Sequence, residues 1–542
     1  MQTLNISQGD YTTFSSYYQI KLPLDVEIMI PSDDPVRLLS AFVEGMDLCD
    51  LYKTYDRIRK NQATPRQLLK IVIYASMNHM YSSRFIERTC RRDINYLYLL
   101  EGMPAPDHAT IARFISLHLS RCSKKMLAQM TALLYELGEV SGKCIFIDGT
   151  KIESCANKYT FVWKKAATRN MKNLFPKITE LVTECEDSYG LKVAYQDQVS
   201  LRTLKRLRKK LYRLKAEEKI TFVSGRGRRK SPLQKSVELL ESYMERLKRY
   251  IKNLHVCGNR NSYAKTDPDA TFMRMKEDAM KNGQLKPAYN VQHGVDSEYI
   301  TWVDISAHPT DTLTLIPFLK DMEEHLPFKY QEIVGDAGYE SEENYVFIEK
   351  NGQTAYIKPQ NYEISKSRSY KKDISRRENM EYQEEQDQYI CRNGKKLTAR
   401  YEKNKKSKSG YISRVTIYEC EDCSGCSHKK ECIKGRNCNT PLEDRTKRLN
   451  VSKCMKEKRE EDLLRITSAY GKQLRINRSI QAEGSFADVK EDMGFRRYMY
   501  RGKENVLAQS IVLAIGRNLN KLHHKIQSDR TGTHLFELKK TG

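Results

Sequence analysis

Lys143-Cys-Ile-Phe-Ile-Asp148-Gly-Thr is a short apolar run that ends on an acid, and a second run of the same build, Gln331-Glu-Ile-Val-Gly-Asp336, follows much later in the chain. Apolar runs of this length, bounded by turn residues, fit strands buried on both faces. Between them, Ala288-Tyr-Asn-Val-Gln-His-Gly-Val and Tyr299-Ile-Thr-Trp-Val alternate about a turn at Asp296-Ser-Glu, which predicts a hairpin. A helix is expected over residues 310–326, another over 342–351, and then the strand Thr354-Ala-Tyr-Ile-Lys. Two late helices follow, over about 479–490 and 505–522. Three strands and then alternating helix and strand make a mixed α/β sheet interrupted by two large insertions. In open α/β sheets the site lies beyond the C-terminal ends of adjacent strands, so Asp148 and Asp336 are expected to meet there.

Upstream of this core, residues 35–137 read as helical. Thr64-Pro-Arg-Gln-Leu-Leu carries an N-cap threonine with proline at the first helical position. Asp107 can cap a further helix whose buried face is Ile111, Phe114 and Ile115. Arg66, Lys70, Arg84, Arg88, Arg91, Arg92 and Arg113 on these short helices fit either a DNA-binding module or a plain bundle with a solvated basic face. The first insertion has leucines at 201, 204, 207, 211 and 214, then Val237, Leu240, Met244, Leu247, Ile251 and Leu254, on either side of a basic glycine- and proline-bearing turn. That pattern predicts an antiparallel helical hairpin with a coiled-coil seam. The second insertion opens with a polar stretch, residues 361–410, that has no clear period and reads as loop-rich.

The chain has 542 residues, 39% hydrophobic and 30% charged, which excludes a disordered or fibrous protein. Lysine and arginine number 94 against 69 acids, a formal excess of +25, and so large a charge points to a polyanion, nucleic acid, as partner. The longest apolar runs, such as 506–516, fall short of the ~20 residues of a membrane span. The chain opens Met1-Gln2-Thr3-Leu4-Asn5, with neither a basic nor an apolar leader segment, so a cytoplasmic protein with no membrane partner is expected. Of fourteen cysteines, most are scattered singly, but Cys420, Cys423, Cys426 and Cys432 form C-x2-C-x2-C-x5-C. Four thiolates at that density suit a structural Zn²⁺, with His428 or Cys438 able to replace one ligand.

Glu483, on the late helix Gln481-Ala-Glu-Gly-Ser-Phe-Ala-Asp-Val-Lys, is the third notable acid. Phe486, Ala487 and Lys490 fall at i+3, i+4 and i+7 from it, so docking of Phe486 and Ala487 on the sheet would aim Glu483 at the strand ends. Three carboxylates at one point need cations, and hard oxygen ligands favour two Mg²⁺ or Mn²⁺ ions able to drive phosphodiester chemistry.

These stretches carry a resemblance. Ile30-Pro-Ser-Asp-Asp-Pro-Val-Arg-Leu-Leu after Leu22-Pro-Leu-Asp, then Pro106-Asp-His-Ala-Thr-Ile-Ala-Arg-Phe, Phe146-Ile-Asp-Gly-Thr-Lys-Ile-Glu-Ser, Thr266-Asp-Pro-Asp-Ala, Gly335-Asp-Ala-Gly-Tyr-Glu-Ser and Glu483-Gly-Ser-Phe-Ala-Asp-Val-Lys occur in that order. Together they resemble the DDE transposases of bacterial insertion sequences, in the group numbered eleven eighty-two. The resemblance implies an RNase H-like catalytic core with Asp148, Asp336 and Glu483 as the metal-binding triad. It also implies cleavage at transposon ends, joining of the freed 3′-hydroxyl to target DNA, and action as a homodimer on double-stranded DNA. Related transposases carry Tyr-x2-Arg-x3-Glu-x6-Lys about the third acid. Here Glu483 and Lys490 match, Ser479 and Ile476 stand in the arginine and tyrosine slots, and Arg478 lies one residue off.

The organisation expected is a helical N-terminal DNA-binding domain over 1–140, core segments over 141–195, 261–360 and 475–525, a basic helical-hairpin insertion over 196–260, a cysteine-bearing insertion over 361–474 and a tail over 526–542. Lys490, Arg478 and Arg113 are the expected DNA contacts. A non-catalytic DNA-binding repressor and an RNase H-like nuclease without strand transfer are the competing readings.

Overall fold

The computed structural model describes residues 29–195, 198–225, 227–275, 283–435, 438 and 440–534. The quoted stretch Leu22-Pro-Leu-Asp and the end of the C-terminal tail lie outside them.

The central sheet is built from β1 (Cys144–Glu153), β4 (Thr271–Arg274), β5 (Leu285–Asp296), β6 (Tyr299–Ser306), β7 (Glu332–Gly335) and β8 (Thr354–Ile357), with β2 (Phe161–Trp163) and β3 (Ser262–Ala264) forming a separate pair. Its order runs β4-β5-β1-β7-β8, with β6 also paired to β5. β1 is antiparallel to β5 and parallel to β7, and β7 is parallel to β8. Among the principal strands the order is third, second, first, fourth, fifth, which is consistent with the expected RNase H-like sheet. The β5–β6 hairpin turns on Ser297 and Glu298, both with positive φ, as a two-residue turn matched to strand twist requires.

The N-terminal part is helical, and its predicted signals operate. Thr64 and Gln67 form a reciprocal capping box at the start of helix Pro65–Met77, and Asp107 accepts from the Thr110 amide at 2.6 Å. Its basic face is smaller than the sequence suggests. Lys70 is buried between Glu44 and Glu101 at 2.6 and 2.9 Å, Arg66 pairs with Glu44, and Arg91 pairs with Glu87. Arg84, Arg88, Arg92 and Arg113 are exposed.

This helical part shares one hydrophobic core with the sheet. The join is helix Lys503–Gln527, which packs against β6 on one side and against helices Pro65–Met77 and Ser120–Glu136 on the other. Its Asn518, fully buried, accepts from the Ile300 amide at 3.0 Å and donates to the Ile300 carbonyl at 2.8 Å. A side-chain amide thus stands in for the next strand along β6.

Two insertions differ from their expected form. The predicted hairpin, Leu201–Glu217 with Pro232–Cys257, is joined by a third helix, Lys164–Tyr189, whose Leu174, Ile178, Leu181 and Val182 complete its core. The second insertion is no plain loop. It contains a five-stranded antiparallel meander of β9 (Glu381–Gln383), β10 (Gln388–Ile390), β11 (Lys396–Lys406), β12 (Ile412–Cys420) and β13 (Arg448–Val451). Among the described residues no helix is long and apolar enough to cross a membrane.

Asn518→Ala strips the partner from two buried backbone groups of β6, each costing about 1–3 kcal/mol when left unpaired. The expected result is a fall in stability on the order of 2–4 kcal/mol, read as a lower urea midpoint with an unchanged slope. An unshifted midpoint would show that the β6 edge is satisfied in another way.

Candidate active site at the strand ends

Register places the acids. In the parallel half of the sheet Ile147 lies opposite Gly335, and Gly335 opposite Ile357. The next residues on these three neighbouring strands are Asp148, Asp336 and Lys358, so two acids and a cation stand abreast. Asp148 is not the end of its strand. β1 continues to Glu153 against β5, with Asp148 paired to His293, and only its parallel pairing stops at Ile147. Asp148 accepts from the Gly149 amide and Asp336 from the Gly338 amide, both at 2.8 Å.

A fourth carboxylate, Asp311, joins this group. Its Oδ1 accepts from Asn290 Nδ2 at 2.7 Å and from Gln292 Nε2 at 3.1 Å. Gly149 and Gly338 allow it to approach, since a Cβ on either would lie 2.8 or 3.1 Å from an Asp311 oxygen. Behind the acids, the buried Tyr339 hydroxyl donates to Gln292. Burial, then the carboxylates of Asp311, Asp148 and Asp336, push the Tyr339 phenol well above its ordinary value, while Arg478 opposes them. Sequence reading missed Asp311 because an acid in the first turn of the helix expected over 310–326 reads as an ordinary helix-end charge, and missed Lys358 because register is not visible in one strand alone.

Glu483 arrives on a helix with an altered pitch. Helix Ala469–Arg478 runs into a π turn, Ser479–Glu483, then one α turn, Gly484–Ala487, and a second π turn, Asp488–Asp492. In an α-helix the side chain four residues back shares a face, and a π turn adds one residue to that interval. Arg478, five residues before Glu483, accordingly ion-pairs with it at 2.8 Å. The one-residue offset of Arg478 from the signature's spacing is thus matched by the extra residue of the π turn. The same guanidinium stands 3.9 Å from Asp148. It therefore bridges the first and third acids.

The altered pitch also changes which face docks. Phe486 is buried as expected, stacked on His293 with ring centroids 4.1 Å apart, but Ala487 is exposed and so is Glu483, at 56%. Lys490 is buried against β1, its Nζ 2.7 Å from Thr150 Oγ1. Arg113 is exposed at the end of helix His108–Arg113, on the helical part of the molecule. Among the described residues no three His, Cys, Asp or Glu side chains are gathered so as to hold a metal ion. At the acids, the Glu483 carboxylate rests on Arg478 and not beside the other two.

The same holds for the predicted zinc ligands. Cys420, Cys423, Cys426 and Cys432 line a cavity of about 20 Å³ at the end of β12, and Cys391, from the turn after β10, is a fifth thiol there. Cys420 donates to the Asp422 carbonyl at 3.4 Å, and burial pushes its thiol up to about 12. Burial also raises the Cys432 thiol, and the five thiols converge on this one small cavity without being gathered as a ready metal cage among the described residues.

His293 pins the Glu483 helix to β5 through Phe486 and through Ser485, whose hydroxyl lies 3.2 Å from its Nδ1. Burial lowers its imidazole to about 3 from an ordinary 6.5, with Arg517 and Lys490 adding to the fall. Between those values the unfolded chain binds a proton that the folded chain refuses, so stability falls as pH drops through this window. His293→Asn is expected to remove that part of the acid sensitivity. Urea midpoints of both proteins from about pH 7 to about pH 4 test this, and parallel pH curves would refute it.

Two comparisons with known families bear on this geometry. The family model described as a transposase domain (DUF772) matches residues 24–117, and the one described as a transposase DDE domain matches residues 390–523. The second contains Glu483, Arg478 and Lys490, while Asp148, Asp311 and Asp336 lie between the two matched segments. Neither the curated proteins nor the solved structures give a match. A helical segment matching a transposase domain, fused to a mixed α/β sheet and followed by a segment matching a DDE domain, indicates a DDE-type insertion-sequence transposase.

Proposed function

We propose that Asp148, Asp336 and Glu483 are the catalytic carboxylates with which this transposase cleaves DNA at the ends of its element and joins the freed 3′-hydroxyl to target DNA. The observation that carries the reading is the placement of Asp148 and Asp336 abreast on adjacent parallel strands, with Glu483 tied to Asp148 through one arginine. DDE transposases generally use divalent metal ions, and the oxygen-only donor set suits Mg²⁺ or Mn²⁺. Such ions would supply Lewis-acid charge and an activated oxygen nucleophile.

The chain's own residues account for the rest. The Gly149 and Gly338 amides fix the Asp148 and Asp336 carboxylates, and Asp311 adds negative charge beside them. Glu483 has to leave Arg478 to complete the group. The released guanidinium then offers a planar pair of donors to a phosphate, a task for which arginine is better shaped than lysine. Lys490 holds β1 through Thr150, two residues beyond Asp148, and so positions that acid. In this reading the helical N-terminal part, with Arg113, recognises the terminal repeat, and two copies act on paired ends.

The test is cutting of a labelled duplex that carries the element's terminal repeat, with Mg²⁺ and with EDTA. Asp148→Asn, Asp336→Asn and Glu483→Gln are each expected to lower the rate by roughly a hundredfold or more, exceeding the cost of losing an outer-shell partner. Duplex affinity should stay near that of the unaltered protein. A triad variant cutting at the full rate would overturn the assignment. Tight, salt-sensitive binding without cutting under any metal would favour the repressor reading.

A further inference from the structure

Beside the acids, on the β8 side, lies a groove of about 470 Å³ lined by Gly335, Lys358, Lys472, Arg475, Arg478 and the isoleucines 476 and 480. Its cations come from two elements, Lys358 from the end of β8 and the others from helix Ala469–Arg478, and no acid lines it. Some of this charge is partly spent within the protein. Arg478 is held by Glu483 and Asp148, Lys358 pairs with Glu363 at 2.8 Å, Glu363 is shared with Lys366, and Arg475 donates to the Tyr362 hydroxyl at 3.2 Å. Lys472 is exposed at the rim. Ile476 and Ile480 are 53% and 40% exposed on the same wall.

Among the described residues, Lys472 and Arg475 face this groove without a carboxylate of their own, and Lys358 and Arg478 add to its positive field. That field and the neighbouring isoleucines left in water are a cost, unless something anionic with an apolar body fills the space. A nucleic-acid strand is such a body, with a phosphate every nucleotide and sugar and base faces between. The groove also opens at Gly335, one residue before Asp336, so a strand lying in it would run directly from the acids.

We propose that this groove binds the DNA strand next to the reacting bond, with Lys358, Lys472 and Arg475 on its phosphates and Ile476 and Ile480 against its sugars and bases. The proposal rests on the transposase reading of the acids but is separable from it. Lys350 is a suitable control, because helix Glu342–Lys350 leads back from the β7 end to the start of β8 and so sets that lysine at the opposite end of the sheet.

The experiment measures binding of the terminal-repeat duplex against salt concentration for the unaltered protein and for Lys472→Glu, Lys358→Ala and Lys350→Glu, each first shown to melt normally. Each phosphate contact contributes ~0.9 to the slope of log affinity on log salt. Lys472→Glu and Lys358→Ala are expected to weaken binding and flatten that slope by about one, with Lys350→Glu close to the unaltered protein. Methylphosphonates at the phosphates flanking the cleavage point should erase the difference between Lys472→Glu and the unaltered protein, and those placed far from it should not. Equal losses for Lys472→Glu and Lys350→Glu, or a difference erased only by distant methylphosphonates, would overturn the groove. Failure of the unaltered protein to bind or cut the duplex would instead overturn the function on which the proposal rests.

Discussion

Carboxylates crowded at one edge of a sheet must be neutralised, and in this chain that constraint falls on Arg478. Adjacent strands are ~4.8 Å apart, and two unit charges at about that distance repel by roughly 3 kcal/mol at an effective dielectric near 20. Asp148 and Asp336 stand abreast under that penalty with Asp311 beside them, and Arg478 offsets it at Asp148 by standing between that acid and Glu483. It reaches both because the π turn at Ser479–Glu483 adds a residue between arginine and glutamate. The backbone irregularity is therefore the means by which a displaced arginine still serves the acids. It also explains why the third carboxylate is withheld from the other two.

The core of the fold was legible where hydrophobic pattern and function coincide. The runs ending at Asp148 and Asp336, the Asp296-Ser-Glu turn and the cap at Thr64 each carry a local signal that tertiary packing did not overrule. The meander in the second insertion was not legible, since β11 is exposed along most of its length and its alternation of Leu397, Ala399 and Tyr401 gives way to a charged run from Glu402. Helix Lys164–Tyr189 was obscured by Pro176 in its interior, a residue that ordinarily ends a helix. At the site, Asp336 just past β7 was readable, while Asp148 was placed correctly only in the parallel half of a strand that runs on to Glu153. The exposure of Ala487 was not readable, because helical-wheel reasoning assumes a constant pitch and two π turns break it. The basic face was overread for a related reason, as composition cannot show that Lys70 is buried between two glutamates.

The helical N-terminal part is not tethered beside the central sheet but built into it. Its core continues into the strands, the Tyr81 hydroxyl donates to the Met493 carbonyl at 2.7 Å just past the Glu483 helix, and Asn520 of the last long helix donates to the Met77 carbonyl at 3.0 Å. Any DNA held on the exposed arginines of this part is thereby held at a set distance from the strand-end acids. A cut at a defined position relative to a recognised sequence requires such a fixed offset.

The segment matching the transposase DDE domain does more than deliver Glu483. Its helix Lys453–Thr467 lies against the end of the sheet and fixes β8 from outside. Arg459 forms two bonds to the fully buried Glu340, Arg465 donates to the Ala355 carbonyl, and Asp462 accepts from the Ile357 amide at 3.2 Å and the Tyr345 hydroxyl at 3.0 Å. Burial pushes the Asp462 carboxyl up to about 7, so near neutrality it is held partly protonated, which lowers the cost of keeping it inside. Ile357 is the residue before Lys358, and Lys358 stands level with Asp336. The long insertion between β8 and Glu483 thus returns to brace the strand end on which the groove and the second acid depend, and that gives the meander and its thiol core a reason to be there. They anchor the start of the helix that holds β8 in register.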